Sequence, residues 1–379
     1  MKLKFATATA IALAMTTGAF AQSNQAPINQ DGDLNEAIVT QTGSSNQAGS
    51  LSSAGWWMNQ VGDSNKLVVL QDGNNNNIGT TNNMGGVGTT NSYNGVPAAQ
   101  RPAGPVWTRN NGIDQAGNFN ELIITQSGDR NGIGAVNQRS SNNATALTNR
   151  LTITQAGVAG TSHQGVADVF QNNTGGAANI ASITQTGGAN QAGSKVYVLT
   201  QDGTGNNVDL TQNGLRNVVT YATQIGTDNG LTVLQTGGSS NWVGDASQDG
   251  TKNSASVTQT GTGNAVASLV QNNAAGGIAG NSATLSFSGD YNGVGTFTGN
   301  AAILNLGLAT VNQLGDSNLV TYSVAGDSNL FAFSQTGDGN KATGTVTGDS
   351  NQVAVLQTGN NNNAPFIQNG SNNNLSVSQ

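Results

Sequence analysis

The sequence predicts an all-β fold: a β-solenoid of stacked strand-turn-strand coils, about twenty-two residues per coil, amyloid-like in its strand order. Three observations predict it. A six-residue phrase, Q-x-G-x-x-N, recurs from Gln30 to Gln368; the step between adjacent copies is most often eleven residues; and the residues between copies alternate between apolar and polar. A short fixed period marks a solenoid, in which each unit buries its core only against its neighbours.

The strands come first. Five residues separate the Asn of one copy from the Gln of the next, and their period is two. In Asn65 to Gln71 one face carries Asn65, Leu67, Val69 and Gln71, while Lys66, Val68 and Leu70 lie on the other. Asn120 to Gln126, Asn206 to Gln212, Asn253 to Gln259 and Asn351 to Gln357 repeat the pattern. Alternation of this length, bounded by Gly-rich tetrads, reads as strand, turn, strand. Strict copies also begin at Gln185 and Gln224, and degenerate ones at Phe287, Val324 and Val346.

The turns follow. The Gly two residues after each Gln supplies the backbone freedom a tight reversal needs, and Asp, Asn and Ser fill the rest. The predicted turn glycines are Gly32, Gly43, Gly62, Gly73, Gly117, Gly128, Gly203, Gly214, Gly250, Gly261, Gly315, Gly337, Gly359 and Gly370.

Stacking coils at roughly 4.8 Å, the strand spacing, would set Gln above Gln and Asn above Asn. A primary amide both donates and accepts, so a column of amides can satisfy itself where a single buried one would be costly. The predicted structural ladder comprises Gln30, Asn35, Gln41, Asn46, Gln60, Asn65, Gln71, Asn76, Gln115, Asn120, Gln126 and Asn131, then Gln201, Asn206, Gln212, Asn217, Gln248, Asn253, Gln259 and Asn264, then Gln313, Asn318, Gln335, Asn340, Gln357, Asn362, Gln368 and Asn373. Asn373 to Gln379 is one further complete strand phrase, an edge of the kind that docks the next chain in a self-assembling subunit. Pro365 interrupts this regular segment, since Pro removes a ladder donor.

Four segments organise the chain. Residues 1–21 read as a secretory signal peptide: Met1-Lys2-Leu3-Lys4, an apolar run from Phe5 to Phe20, and the small-residue site Ala19-Phe20-Ala21, with cleavage after Ala21. Residues 22–76 carry repeats, with an insert from Leu51 to Met58 that holds Trp56 and Trp57. Residues 77–114 form an irregular Asn- and Gly-rich insert with Pro97, Pro102, Pro105 and Trp107, read as disorder, a side excursion or a binding loop. Residues 115–379 resume the repeats, looser at Asn137 to Asn179 and Asn272 to Leu306.

Composition excludes several function classes. Without Cys, disulfides and thiolate metal sites are ruled out. Only 8% of residues are charged and the formal net charge is −7, so nucleic acid is not an expected partner, because phosphate binding needs clustered Lys and Arg. No segment is long and apolar enough for an integral membrane span. No cofactor is expected and no nucleophile, base and acid set recurs; His163 is the single His and reads as a surface residue, so the chain is predicted not to be an enzyme.

The repeated phrase with its alternating apolar residues, behind a secretory signal and without Cys, resembles the curlin family over most of the chain that follows the leader. The resemblance implies a bacterial structural subunit that passes an outer-membrane secretion pore with its accessory factors. At the cell surface it would polymerise with itself, and with a second curlin-type subunit or nucleator, into curli fibres (a pilus-like functional amyloid) of the biofilm matrix. It implies an extracellular location and an inward-facing ladder of the motif Gln and Asn residues. The chain departs from the family in being longer and more interrupted, and in carrying the full phrase at both turns of a coil. Main subunit and nucleator both stay open.

Other readings compete with this one. Gly-Asp pairs at Asp63, Asp129, Asp316, Asp327, Asp338 and Asp349 lack the nine-residue Gly-Gly-x-Gly-x-Asp pattern of calcium-binding rolls; aggregation gatekeeping and plain turn preference both account for them. A monomeric surface adhesin or an ice-binding rod could use the same solenoid, but Thr-x-Thr appears only sporadically, as at Thr152 to Thr154.

Overall fold

The computed structural model describes residues 12–14, 24–49, 58–79, 112–141, 143–157, 164–187, 193–273 and 279–379, with side chains described from residue 24 onward. The chain forms two compact units, Met1–Gly205 and Asn206–Gln379. Each is an all-β solenoid built from two parallel sheets.

In the first unit, sheet A contains Glu36–Thr42, Lys66–Asp72, Asn120–Ser127, Asn149–Ala156 and Asn179–Thr186. Ala12–Ala14, inside the predicted leader, pairs with Ile38–Thr40 as a further strand of this sheet. Sheet B contains Ile28–Asp31, Met58–Val61, Gly112–Ala116, Gly132–Arg139, Gly165–Asn173 and Lys195–Thr204. The chain alternates between the sheets, so neighbours in a sheet are one coil apart in sequence and therefore parallel.

The second unit repeats the arrangement. Its sheet A runs through Asn207–Leu215, Gly230–Ser239, Ser254–Thr260, Ser282–Ser288, Leu319–Ala325, Lys341–Thr347 and Asn363–Asn369. Its sheet B runs through Val218–Thr227, Trp242–Thr251, Ala265–Asn272, Thr310–Leu314, Leu330–Thr336, Gln352–Thr358 and Asn374–Ser378. One short helix, Gly299–Ile303, interrupts the strands.

Registers match like with like. Leu67 pairs with Leu122 and Leu122 with Leu151, while Val69, Ile124 and Ile153 line up beside them. These side chains are fully buried between the sheets. Burying each removes enough apolar surface to contribute about 1.5–3 kcal/mol.

Many strands of sheet B, though not Leu330–Thr336 or Gln352–Thr358, differ from those of sheet A in a way the phrase does not announce. In sheet A six steps separate the inward Asn from the inward Gln, as in Asn120 to Gln126. In sheet B seven steps separate Asn131 from Gln138, Asn217 from Gln224, Asn241 from Gln248 and Asn264 from Gln271. The added residue drops out of the pairing: the register passes from Ile133↔Val166 to Ala135↔Asp168, and from Val219↔Val243 to Tyr221↔Asp245. These coils are therefore longer than twenty-two residues.

The same point takes the large interruptions. Gly132 and Ile133 pair with Asn77 and Ile78, and Ala135 resumes pairing with Gly112. Residues 79–111 thus branch off opposite Gly134. Both ends of the segment read as an insert from 77 to 114 therefore lie in strands, and so does Met58. The looser stretch 137–179 likewise contains the strands Asn149–Ala156 and Gly165–Asn173. Trp56, Trp57, Trp107 and His163 lie outside the described residues.

Candidate functional site: columns of amides

The alternation of each strand turns its Gln and the following Asn toward the interior, and the parallel register stacks them. Of the amides singled out from sequence, all are buried except Gln30, Asn362 and Asn373, which are half-buried.

The Gln columns run side chain to side chain. In the first unit, sheet B, Nε2 donates to the next Oε1 from Gln30 to Gln60, Gln115, Gln138, Gln171 and Gln201 in turn, at 2.7–2.8 Å. In sheet A the series is Gln41, Gln71, Gln126, Gln155 and Gln185, at 2.7–2.9 Å. In the second unit, sheet B links Gln224, Gln248, Gln271, Gln313, Gln335, Gln357 and Gln379 at 2.8–2.9 Å. The second hydrogen of the Nε2 group crosses the core in most of these residues. Gln60 donates it to the Glu36 carbonyl at 3.1 Å, and Gln335 to the Leu319 carbonyl at 3.0 Å. Such Gln residues thus brace one sheet against the other while bonding along their own column.

The Asn columns work differently. Asn35 Oδ1 accepts the backbone N–H of Asn65 at 3.0 Å, and Asn35 Nδ2 donates to the Gly62 carbonyl at 2.7 Å. Asn340 repeats this with Asn362 N–H at 3.0 Å and the Gly359 carbonyl at 2.7 Å. Asn therefore holds the turn of the next coil by its backbone. Side-chain bonds such as Asn120 Nδ2 to Asn65 Oδ1, 3.0 Å, add to this frame.

The turn geometry explains the Gly. All fourteen turn glycines have positive φ, from 80° at Gly128 to 140° at Gly214. At Gly32 a Cβ would also collide with the Gly62 carbonyl stacked upon it. Turn carboxylates have partners of their own. Asp63 Oδ1 accepts from Asp33 N–H at 2.7 Å, and Asp338 Oδ1 accepts from Asp316 N–H at 2.9 Å, a structural use in the turn.

Sheet A of the second unit breaks the pattern. Its column runs Gln212, Gln235, Gln259, and Gln259 is then paired with Phe287, Phe287 with Val324, Val324 with Val346, and Val346 with Gln368. Facing an apolar neighbour, Gln259 Nε2 turns to the carbonyls of Trp242, 3.2 Å, and Asn264, 3.0 Å. Gln368 Oε1 is buried without a hydrogen-bond partner. Beside this gap Phe287, Tyr322, Phe331, Phe333 and Phe366 pack together, with Phe287 and Phe331 centroids 5.1 Å apart and Tyr322 and Phe333 5.2 Å apart. Gly344 makes room: it pairs with both Tyr322 and Phe366, and a Cβ there would strike the Phe366 ring. Burial pushes the Tyr322 phenol up.

Outside sheet A of the first unit a column of charge forms. Glu36, Lys66, Glu121 and Arg150 are successive register partners of alternating sign. Glu121 carboxylate oxygens lie 3.4 Å from Lys66 Nζ and 2.6 Å from Arg150 Nε. On sheet B, burial pulls the Lys195 ammonium down to about 8 and pushes the Asp245 carboxyl up.

Several column members escape the phrase. Gln138, Gln155, Gln171, Gln235 and Gln271 lack either its Gly or its correctly spaced Asn, and Gln164 and Ser194 occupy Asn places, with Ser194 N–H donating to Gln164 Oε1 at 2.8 Å. The apolar alternation before them, Leu151 and Ile153 ahead of Gln155, is the signal that remains.

The fold and its columns define a class: an all-β repeat solenoid whose interior is organised by stacked amides. Residues 21–49 and 348–379 match the family model described as the curlin associated repeat, which supports the curlin resemblance and a curli-type structural subunit, a family that is structural and not enzymatic. No curated protein matches the chain. Among the described residues no helix is long and apolar enough to cross a membrane.

Proposed function

We propose that this protein is a secreted structural subunit that self-assembles by templated strand addition into extracellular amyloid fibres serving adhesion and the biofilm matrix. The observation that carries the reading is the set of Gln columns, bonded coil to coil at 2.7–2.9 Å, whose pattern any further coil of the same phrase can extend. Asn374–Ser378 pairs with Gln352–Thr358 in the same parallel register as the strands before it, the geometry onto which a further coil would add. On this reading residues 1–21 are a leader removed on export, which would uncover the Glu36–Thr42 edge that Ala12–Ala14 occupies. Its partners on this reading are further copies of itself, a second curlin-type subunit or nucleator, and an outer-membrane secretion pore with its accessory factors, and the motif amides are the assembly ladder.

Fibre diffraction tests this on chain lacking residues 1–21, purified in denaturant and diluted into buffer, with electron microscopy and dye binding alongside. Ordered fibres with a meridional reflection near ~4.8 Å are expected. A stable β-rich monomer that never polymerises, even when seeded, would overturn the proposal and favour a solitary adhesin.

A further inference from the structure

Residues 294–308 leave sheet B of the second unit one residue before the point at which the larger interruption of the first unit leaves its own, opposite Val266 where residues 79–111 stand opposite Gly134. Ala265 N–H bonds the Asn292 carbonyl and Ala267 N–H the Ala309 carbonyl, both at 2.8 Å, so the whole segment stands where Val266 alone stands in the preceding strand. Its two ends are tied to the Leu330–Thr336 region: Gly293 N–H donates to the Asn329 carbonyl at 2.7 Å, and Ala309 N–H to the Phe331 carbonyl at 2.8 Å.

From there the segment reaches two strands further. Thr298 N–H donates to Gln352 Oε1 at 2.8 Å, and Gln352 Nε2 returns a bond to Thr298 Oγ1 at 2.7 Å. Asn374 Nδ2 donates to the Thr298 carbonyl at 2.6 Å, and Ala301 N–H donates to Asn374 Oδ1 at 2.7 Å. Gly295 lies against Leu330, which is buried. Leu330, Gln352 and Asn374 are register partners in three successive strands. Each follows an inward Asn, so each side chain stands on the outer face of the sheet. The segment therefore reads one outward column, one residue per strand: an apolar contact, then two amides that each donate and accept.

We propose that residues 294–308 form a latch that locks Asn374–Ser378 onto Gln352–Thr358 and closes only when the three strands are stacked in register. Near-identical coils can slip past one another at little cost in amide bonding; a slipped strand would not present Asn374 to Thr298 and Ala301. Among the described residues Asn374–Ser378 is held by backbone bonds on one side, the situation in which strands fray. The latch grips it from the outer face and leaves its edge unblocked. This goes beyond fibre formation and does not depend on it.

Hydrogen exchange on the full chain, kept monomeric by dilution, tests the latch. Asn374→Ala removes both outer bonds without touching the core, and a second variant replaces residues 294–308 by a single Val, the residue at that place in the preceding strand. Both are expected to speed exchange at Asn374–Ser378 about tenfold or more, leaving Gly230–Ser239 unchanged. In the shortened variant, adding Asn374→Ala should have no further effect. Unchanged exchange in both variants would overturn the latch, and so would a full additional effect of Asn374→Ala once the segment is gone.

Discussion

Sheet A is built twice, and the two versions solve one problem in different ways. In the first unit its Gln column runs unbroken from Gln41 to Gln185, while charges alternate outside through Glu36, Lys66, Glu121 and Arg150. In the second unit the outer face lacks that alternation, and the inner column is broken by Phe287, Val324 and Val346 beside five packed aromatic rings. Identical amides bond equally well in any register, so they stabilise a stack without specifying it. Specificity has to come from residues that are not repeated. One unit places them outside as charge, the other inside as aromatic volume.

The largest effect should come from the inside device. Phe287→Ala empties space beside Tyr322 and Phe331 and should cost about 3–5 kcal/mol, seen as lost exchange protection in Leu319–Ala325 and Leu330–Thr336. Protection in Asn120–Ser127 should hold; if it fell equally, the two units would not be separate in stability. Next comes the amide column itself. Gln126→Leu leaves Gln155 Oε1 without its donor and takes away the acceptor of Gln71 Nε2, a loss of roughly 2–4 kcal/mol in urea titration. The converse change, Val346→Gln, offers Gln368 Oε1 a donor and should stay within about 1 kcal/mol of the parent.

The outside device is weaker. Glu121→Lys sets like charges between Lys66 and Arg150, whose side chains are 43% and 47% exposed, so the loss should be about 1 kcal/mol and should fade near ~1 M salt. A salt-independent loss would point to packing in place of charge. A further test is a pH effect at Lys195. Its ammonium is lowered to about 8 from 10.5, so the unfolded chain binds more protons between those values, and stability rises as pH climbs through that window. Lys195→Met should remove this slope and raise stability below it. An unaltered slope in thermal melts at pH 7 to 10 would place the titration elsewhere.

Much of this architecture is legible in the sequence because phrase and strand are the same length in sheet A, and Asn120 to Gln126 shows inward and outward faces directly. Sheet B is harder to read. Its added residue at Gly134, Thr220 or Gly244 shifts the alternation within the strand, and Gln155, Gln171 and Gln235 sit in the columns ahead of turns that dropped the Gly or the spacing of the phrase. The turn is local, so its residues can vary once the neighbouring coil supplies the hydrogen bonds; the inward Gln gives way only where apolar side chains fill its column. Phe287, Val324 and Val346 are visible as substitutions, but the rings that pack beside them, Phe331 and Phe333, come from the facing sheet. Their meeting is fixed only by how the coils stack.

The branching point on sheet B has a practical consequence. In both units foreign length enters two or three residues after the inward Asn, while the Gln beyond stays in its column. A single added residue and a segment as long as 79–111 are accommodated alike. A coil of this kind offers an exit, opposite Gly134 or Val266, at which peptide cargo such as an epitope, an enzyme tag or a mineral-binding sequence can be spliced without rewriting the interior. Evolution by splicing and engineering by splicing would use the same doorway.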